Sequence, residues 1–384
     1  MSSKRSIVHM DLDTFFVSCE RKMDSRLEGK PILIGGTSDR GVVASCSYEA
    51  RAYGVHSAMP MKMAIERCPE AIIIKGHSGI YSEYSKMVTE IVKEKVPIFE
   101  KTSIDEFYVD LTGMDQYFGT YKFTMELRNK IIKETGLPIS FGLSENKTVS
   151  KIATGEAKPN NQMKIDHGFE KTFLAPLSVK KIPMVGKKMY KTLCDLGVKK
   201  IQTIQEMPIE LMESALGDNG RSIWKKANGI DTNPVVQYNE RKSISTERTF
   251  EKDTIDYLKL KGLIASMGEN LAFQLRKQNK MTSCVSIKIR YSDFQTHTLQ
   301  KMIPYTVADH EILPVLAELF EKIYHRRLLV RLIGVKFSSL VNGNYLLSLF
   351  DSQIDYSSLY SALDKIRIKY GEKAVLRAVG LNKK

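Results

Sequence analysis

The sequence predicts an α/β protein built from several modules, and three observations carry that expectation. At 384 residues the chain is longer than one hydrophobic core usually serves, so about two to four modules are expected. Strand-like and helix-like apolar patterns alternate up to about residue 168, and again from residue 242 to 340. Between these regions, residues 170–230 are cut into short helical pieces by Pro176, Pro183, Gly186, Gly197, Pro208, Gly217 and Gly229.

In residues 5–18, Val8, Met10 and Leu12 fall on one face of a strand, with Asp11 and Asp13 on the other. A Gly35-Gly36 turn and the small-residue stretch 41–45 follow, with a helix starting near Tyr48. YSEYSKMVTEIVKEKV repeats apolar residues at helical spacing from Tyr81 to Val96, and Pro97 stops it. Another helix is expected over residues 121–135, then the segment ISFGLSENKTVSKIATGEAKPN. Residues 231–241 are polar with little periodicity and read as a linker. Beyond it, strands are expected at 244–249, 284–291, 299–304 and 332–338, and helices near 256–277 and 309–325. The tail from Asp355 to Lys384 has a helical pattern too small to fold alone.

The composition, 42% hydrophobic and 27% charged, is that of a soluble globular protein, and no apolar run approaches the roughly 18 residues that span a bilayer. The N-terminus MSSKRSIVHMDLD reaches carboxylates before a signal-peptide core could form, so a cytoplasmic location is expected, without a membrane partner. Fifty-eight Lys and Arg against forty-four Asp and Glu leave a formal charge of +14, which favours a polyanionic partner. Cys19, Cys46, Cys68, Cys194 and Cys284 are odd in number and far apart, and none forms a C-x-x-C pair. This pattern argues against a disulfide framework and a zinc site and for reduced thiols.

Asp11-Leu12-Asp13 and Asp105-Glu106 are the carboxylates most suited to chemistry. Two magnesium ions about 3.5 to 4 Å apart, as used in phosphoryl transfer, need bridging carboxylates from rigid elements. The apolar framing, IVHMDLDTFF and TSIDEFYVDL, sharpens the point, because carboxylates beside core strands are costly unless compensated. Asp105 and Glu106 are sequential, so a turn must bring both to one site. Asp110 reads as an ordinary strand-end acid. From the residues alone, Asp11 and Asp13 are not separable as ligands.

Five segments in this order, IVHMDLDTFFVSCE, VVASCSYEARAYGV, SIDEFYVDLTG, GLSENKTVSKIA and EAKPN, resemble the Y-family DNA polymerases, in particular the DinB branch. The likeness runs over about residues 5–340. It implies a right-hand polymerase: palm from 1–16 and 78–168, fingers from 17–77, helical thumb from 169–230, linker from 231–241, and an α/β little finger from 242–340. A C-terminal tail, 341–384, remains, and no segment is left for a proofreading exonuclease. The implied activity is template-directed, low-fidelity translesion synthesis by a monomer on primer-template DNA and dNTP, with two Mg2+ ions. The alternative is a non-catalytic DNA-binding or clamp-docking protein of the same fold.

Residue by residue, the resemblance implies metal ligation by Asp11, Asp105 and Glu106 with the backbone carbonyl of Leu12, while Asp13 supports the strand. Tyr48, Arg51 and Lys158 match side chains that grip the triphosphate, Ser45 a hydroxyl near it, and Thr14, Phe15 and Phe16 amides beside it. Phe16 matches the steric gate that collides with a ribose 2′-hydroxyl. Val43 and Ala44 match small residues over the nascent base pair.

Ile182-Pro183-Met184-Val185-Gly186-Lys187-Lys188 resembles a helix-hairpin-helix turn, whose amides and lysines meet a phosphate. Residues 242–340 carry sixteen basic and ten acidic side chains, with Ser286, Lys288 and Arg290 on one strand face opposite Val285, Ile287 and Ile289. Such a sheet resembles the family's little finger, and the resemblance implies that it lies in the major groove and touches phosphates more than bases. Leu346, Leu347, Ser348, Leu349 and Phe350 resemble the peptide by which bacterial polymerases dock on the sliding clamp. The usual leading glutamine is replaced by Leu346, or by Asn344 if the register slips, and packing against the C-terminal helix is the competing reading.

Overall fold

The structure is a computed structural model in which residues 5–38, 40–114, 119–237, 240–343, 356–371 and 374–375 are described. The chain divides into two compact units, Met1–Asn239 and Glu240–Lys384.

The first unit runs β1 (Ile7–Leu12), α1 (Phe15–Met23), β2 (Ile32–Gly35), β3 (Val43–Cys46), α2 (Tyr48–Ala52), α3 (Met61–Arg67), β4 (Ile72–Ile74), α4 (Ser78–Lys95), β5 (Phe99–Lys101), β6 (Glu106–Asp110), α5 (Thr120–Thr135), β7 (Ile139–Ser144), α6 (Lys147–Ala157) and β8 (Gln162–Lys164). Five short helices follow: α7 (Glu170–Leu174), α8 (Lys187–Asp195), α9 (Ile201–Glu206), α10 (Ile209–Leu216) and α11 (Asp218–Ala227).

Its main sheet has the order β5-β6-β1-β7-β8, so β1 is central. Alternation along β1 sorts its side chains: Val8, Met10 and Leu12 join the core with Val88, Val92 and Ile131 of α4 and α5. On the other face His9 meets Thr154 of α6 at 2.9 Å, and Asp11 follows two residues later. Gly142 of β7 allows α6 to close on that face, since a Cβ there would lie 2.3 Å from the Ser150 carbonyl oxygen. The strand expected to reach residue 18 ends at Leu12: Thr14 takes φ 41°, a left-handed turn, and Phe15, Ser18 and Cys19 bury at helical spacing. A separate sheet, β3-β2-β4, packs with α2 and α3 around Leu33, Val43, Met61 and Ala64. The short helices α7–α11 surround Leu174, Leu193, Ile201, Ile204 and Ile223.

Residues 231–237 are not the free linker that their polarity suggests. Asp231 accepts hydrogen bonds from the amide and hydroxyl of Thr148, and the Val236 amide donates to Glu100 at 2.8 Å. Val235 packs with Ile7 and Tyr108. The segment lacks periodicity because side chains rather than a ladder hold it.

The second unit runs β9 (Ser243–Thr254), α12 (Tyr257–Lys277), β10 (Lys280–Tyr291), β11 (Thr296–Thr306), α13 (Asp309–Ile323), β12 (Val330–Asn342) and α14 (Ser357–Tyr370). The four strands are antiparallel in the order β11-β10-β12-β9. Val285, Ile287, Ile289, Ile333, Val335 and Phe337 face α12 and α13, and this core explains why these strands were legible.

Helix α14 docks through buried Arg276 of α12, which donates to Asp364 at 2.7 and 3.0 Å and to Asp309 at 2.8 Å. Removing one partner of a buried charge is costly. Asp364→Ala is therefore expected to destabilise this unit by about 3 kcal/mol, read from chemical unfolding midpoints. An unchanged midpoint would show that the Arg276–Asp364 contact adds no stability.

Candidate active site

The carboxylates gather at the C-terminal end of β1. Asp11 lies opposite Glu106 in the β1/β6 ladder, so the two side chains share a face. Asp105 occupies the turn just before β6, and its carbonyl oxygen accepts from the Leu12 amide at 3.1 Å. That turn, stapled by Ser103 Oγ to Asp105 at 2.6 Å and to the Glu106 amide at 3.0 Å, brings both sequential acids to one place.

Asp11, Leu12, Thr14, Phe15, Phe16, Ala44, Ser45, Arg51, Asp105 and Lys158 line a cleft of about 230 Å³, together with Ser57. Glu106 stands beside it. Burial pushes the Asp11 carboxyl up to about 7, against the pull of the contacting Lys158 ammonium. Glu106 is held well below the usual carboxylate range by His9, whose Nε2 lies 3.9 Å away, and by Lys151 at 2.7 Å. The donor set is all hard oxygen, from three carboxylates and a backbone carbonyl, and fits divalent magnesium.

Asp13 is 1% exposed and differs in kind. It accepts from Ser140 Oγ at 2.8 Å, the Asn160 amide at 2.7 Å and the Tyr48 hydroxyl at 3.3 Å. Its oxygens are spent on joining β7, the 158–160 turn and α2. Tyr48 thus has its hydroxyl on Asp13, and Arg51, 5.0 Å over the Tyr48 ring, lines the cleft.

The left-handed Thr14 starts α1 without a side-chain cap, so the first amides of the helix have no partner within it, the kind of terminus that favours an anion. Phe16 is half-buried on α1 and stacks on Tyr81, with centroids 4.4 Å apart and rings inclined by 14°. Tyr81 is locked in turn by its hydroxyl on buried Glu20, which also receives His77 Nδ1 at 2.9 Å. Burial raises the Tyr81 hydroxyl pKa, keeping it a neutral donor.

One expectation is corrected. Val43 is 1% exposed in the core of the β3-β2-β4 sheet and does not face the cleft, because β3 alternates. Exposed Val42 and Ala44 share the open face. The sequence reading also missed Lys151, Tyr81, Glu20 and Ser57. Lys151 lies four residues after Lys147 on one face of α6, and Glu20 four after Phe16 on α1, so helical spacing offered a signal for both. Nothing local marked Tyr81.

Away from the cleft, Gly186 caps α8 with open space where a Cβ would stand, and no side chain caps the amides of exposed Lys187 and Lys188. Val185 of the same turn is buried. In the second unit, Lys288 and Arg290 lie on the open sheet face, but neither is free: Lys288 pairs with Glu247 and Arg290 Nε donates to Thr296 at 2.8 Å. Glu247 reaches Lys288 across β12 because Gly334 stands between them; a Cβ there would meet Glu247 Cγ at 2.7 Å. Residues 346–350 lie outside the described residues.

Comparison with known families decides the matter. Residues 10–155 match the impB/mucB/samB family and residues 241–349 its C-terminal domain. The chain belongs to this family, that of the Y-family DNA polymerases.

Among curated members, a protein named DNA polymerase IV of Dehalococcoides mccartyi is 37% identical over 377 residues, covering 97% of each chain. One of the same name from Treponema denticola is 35% identical over 337 residues, covering 87% of this chain and 85% of that one. In solved structures, an insertion ternary complex of Dbh DNA polymerase matches 88% of this chain and all of its own, with TM-score 0.65 and 25% identity. A Y-family polymerase chimera built from Dbh matches with TM-score 0.75 at 23% identity over the same shares, which supports the fold alone. The mixed α/β architecture is thus the right-hand polymerase fold of the Y-family. Among the described residues, no helix is long and apolar enough to cross a membrane.

Proposed function

We propose that the chain, a DNA-directed DNA polymerase, carries out translesion, low-fidelity synthesis by two-metal nucleotidyl transfer from a dNTP to a primer 3′-hydroxyl. One observation carries this reading: Asp11, Asp105 and Glu106 converge beside a cleft that also holds an uncapped helix N-terminus, Arg51 and Lys158. Two Mg2+ ions held by Asp11, the Leu12 carbonyl, Asp105 and Glu106 would supply an activated attacking oxygen and charge neutralisation at the leaving group.

The chain's own residues do the rest. Amides at the start of α1, with Arg51 and Lys158, bind and orient the triphosphate, and Ser45 adds a hydroxyl. The primer 3′-hydroxyl releases its proton to solvent as its oxygen attacks the α-phosphate in line; the new bond joins O3′ to Pα, the Pα–O bond to the β-phosphate breaks, and pyrophosphate leaves with its negative charge facing those cations. No protein nucleophile is needed. Tyr48, whose hydroxyl rests on Asp13, joins Arg51 and Lys158 in gripping the triphosphate. Phe16, braced by Tyr81, lies under the sugar. Val42 and Ala44 present a small surface over the base pair, which tolerates damaged templates.

In this reading residues 1–16 and 78–168 are the palm, 17–77 the fingers, 169–230 the thumb and 242–340 the little finger. Five free thiols accord with a reducing, cytoplasmic setting, and the polymerase works as a monomer. Clamp docking by Leu346–Phe350 rests on the sequence pattern, and deleting that peptide should abolish capture by the host clamp. A catalytically silent DNA-binding protein of the same fold would have no use for three converging carboxylates beside phosphate-binding cations.

The translesion reading is tested by extension across an abasic template site. Insertion opposite the gap and onward synthesis are expected, and a complete stop one nucleotide before it would overturn this part of the function.

DNA binding by the second unit rests on its open sheet face. Glu247→Gln, by freeing Lys288, is expected to steepen the dependence of log affinity on log salt by about one unit, and Lys288→Ala to leave it near the wild-type slope. Titrations of labelled primer-template at several salt concentrations measure this. Identical slopes for Glu247→Gln and wild type would remove Lys288 from the interface.

A further inference from the structure

We propose that Glu145, His167 and Glu170 form a second cation site, separate from the polymerase cleft, that takes a single divalent transition ion of the Zn2+ class. One ligand atom from each residue lies within 4.8 Å of the other two. Glu145 follows β7, and His167 and Glu170 flank the turn that leads from β8 into α7. Gly168, at φ +88°, makes that turn, and its amide donates to Glu170 Oε2 at 2.8 Å.

The second observation is the state of Glu170 itself. It is 7% exposed, and its Oε1 is buried without a hydrogen-bond partner. Among the described residues no lysine or arginine pairs with Glu145 or Glu170; Glu145 Oε2 meets the His167 imidazole, whose Nδ1 lies 2.7 Å away. A buried carboxylate with an idle oxygen, a second carboxylate and an imidazole are thus held together with no lysine or arginine beside them, an arrangement that a bound cation would stabilise. The donor set of one nitrogen and two carboxylates selects the ion: imidazole suits Zn2+ and its neighbours, whereas Mg2+ and Ca2+ prefer oxygen alone. An ion here would tie the 165–170 turn to the end of β7, where α7–α11 join the main sheet. It would act as a structural staple rather than in catalysis.

The test uses the full chain stripped of metal, dialysed against micromolar Zn2+ in the presence of millimolar Mg2+, which saturates the oxygen-only cleft. Retained zinc is measured by mass spectrometry and thermal unfolding is followed in parallel. The expected result is one zinc per chain and a higher Tm in zinc for wild type and for Asp105→Asn, with both lost in His167→Ala and Glu170→Gln. Because His167 is exposed, His167→Ala should keep its fold, and a wild-type Tm without metal verifies this. No retained zinc, or equal retention by His167→Ala, would overturn the site. Loss in Asp105→Asn with retention in His167→Ala would do the same, assigning the zinc to the cleft.

Discussion

Asp105→Ala is expected to slow incorporation of a single complementary dNTP by about 10³-fold or more, since losing a carboxylate that holds a catalytic cation forfeits several kcal/mol of transition-state stabilisation. Affinity for primer-template should stay near wild type, because the α8 terminus and the second unit's sheet are untouched. Pre-steady-state quench-flow with saturating dNTP separates the two quantities. Asp105 is a fair target because it sits in a turn, half-buried, with its side chain bonded to Ser103 and its backbone carbonyl to Leu12. Alanine keeps the backbone bond. Asp13→Ala should look different: it strands Ser140, Asn160 and Tyr48 and lowers stability together with activity.

The second large effect is expected at Phe16. Phe16→Ala should raise the incorporation efficiency of a ribonucleotide relative to its deoxy counterpart by about 10²-fold, the scale on which a packed wall discriminates one hydroxyl. The ring is held by stacking on Tyr81, and Tyr81 by Glu20. Tyr81→Ala should therefore relax sugar selection part of the way while Phe16 remains. Competition between rNTP and dNTP at one template position measures both. Unchanged selectivity in Phe16→Ala would return the ring to ordinary packing, a role it also has, since it touches the core beside Phe15.

Much of this arrangement was legible in the sequence because it is encoded in period and punctuation. The alternation of IVHMDL gave β1 and its two faces, and Pro97 gave the end of α4 within two residues. The four strands and two long helices of the second unit followed from apolar spacing, though each strand runs longer than expected because the added residues, such as Lys280, Thr282 and Ser283 of β10, are polar and break the apolar alternation. The choice between Asp11 and Asp13 was not legible. Both are acids on one side of an apolar strand, and what separates them is the bend at Thr14, which turns Asp13 towards Ser140 and Asn160. The pairing of Lys151 with Glu106 and of Lys158 with Asp11, and the stacking of Tyr81 on Phe16, depend on contacts between residues far apart in the chain. Local pattern carries no record of such contacts. The same holds for residues 231–237, whose polar side chains suggested a linker until Thr148 and Glu100 were seen to hold them.

The central claim is that the cleft at the end of β1 performs templated nucleotidyl transfer. The most direct measurement offers each dNTP singly, with Mg2+, to the wild-type chain on four primed templates that differ only in the templating base. The account predicts that the complementary nucleotide is added fastest opposite every base, and that chelating the metal abolishes addition. No extension, or addition whose rate is indifferent to the templating base, would contradict it.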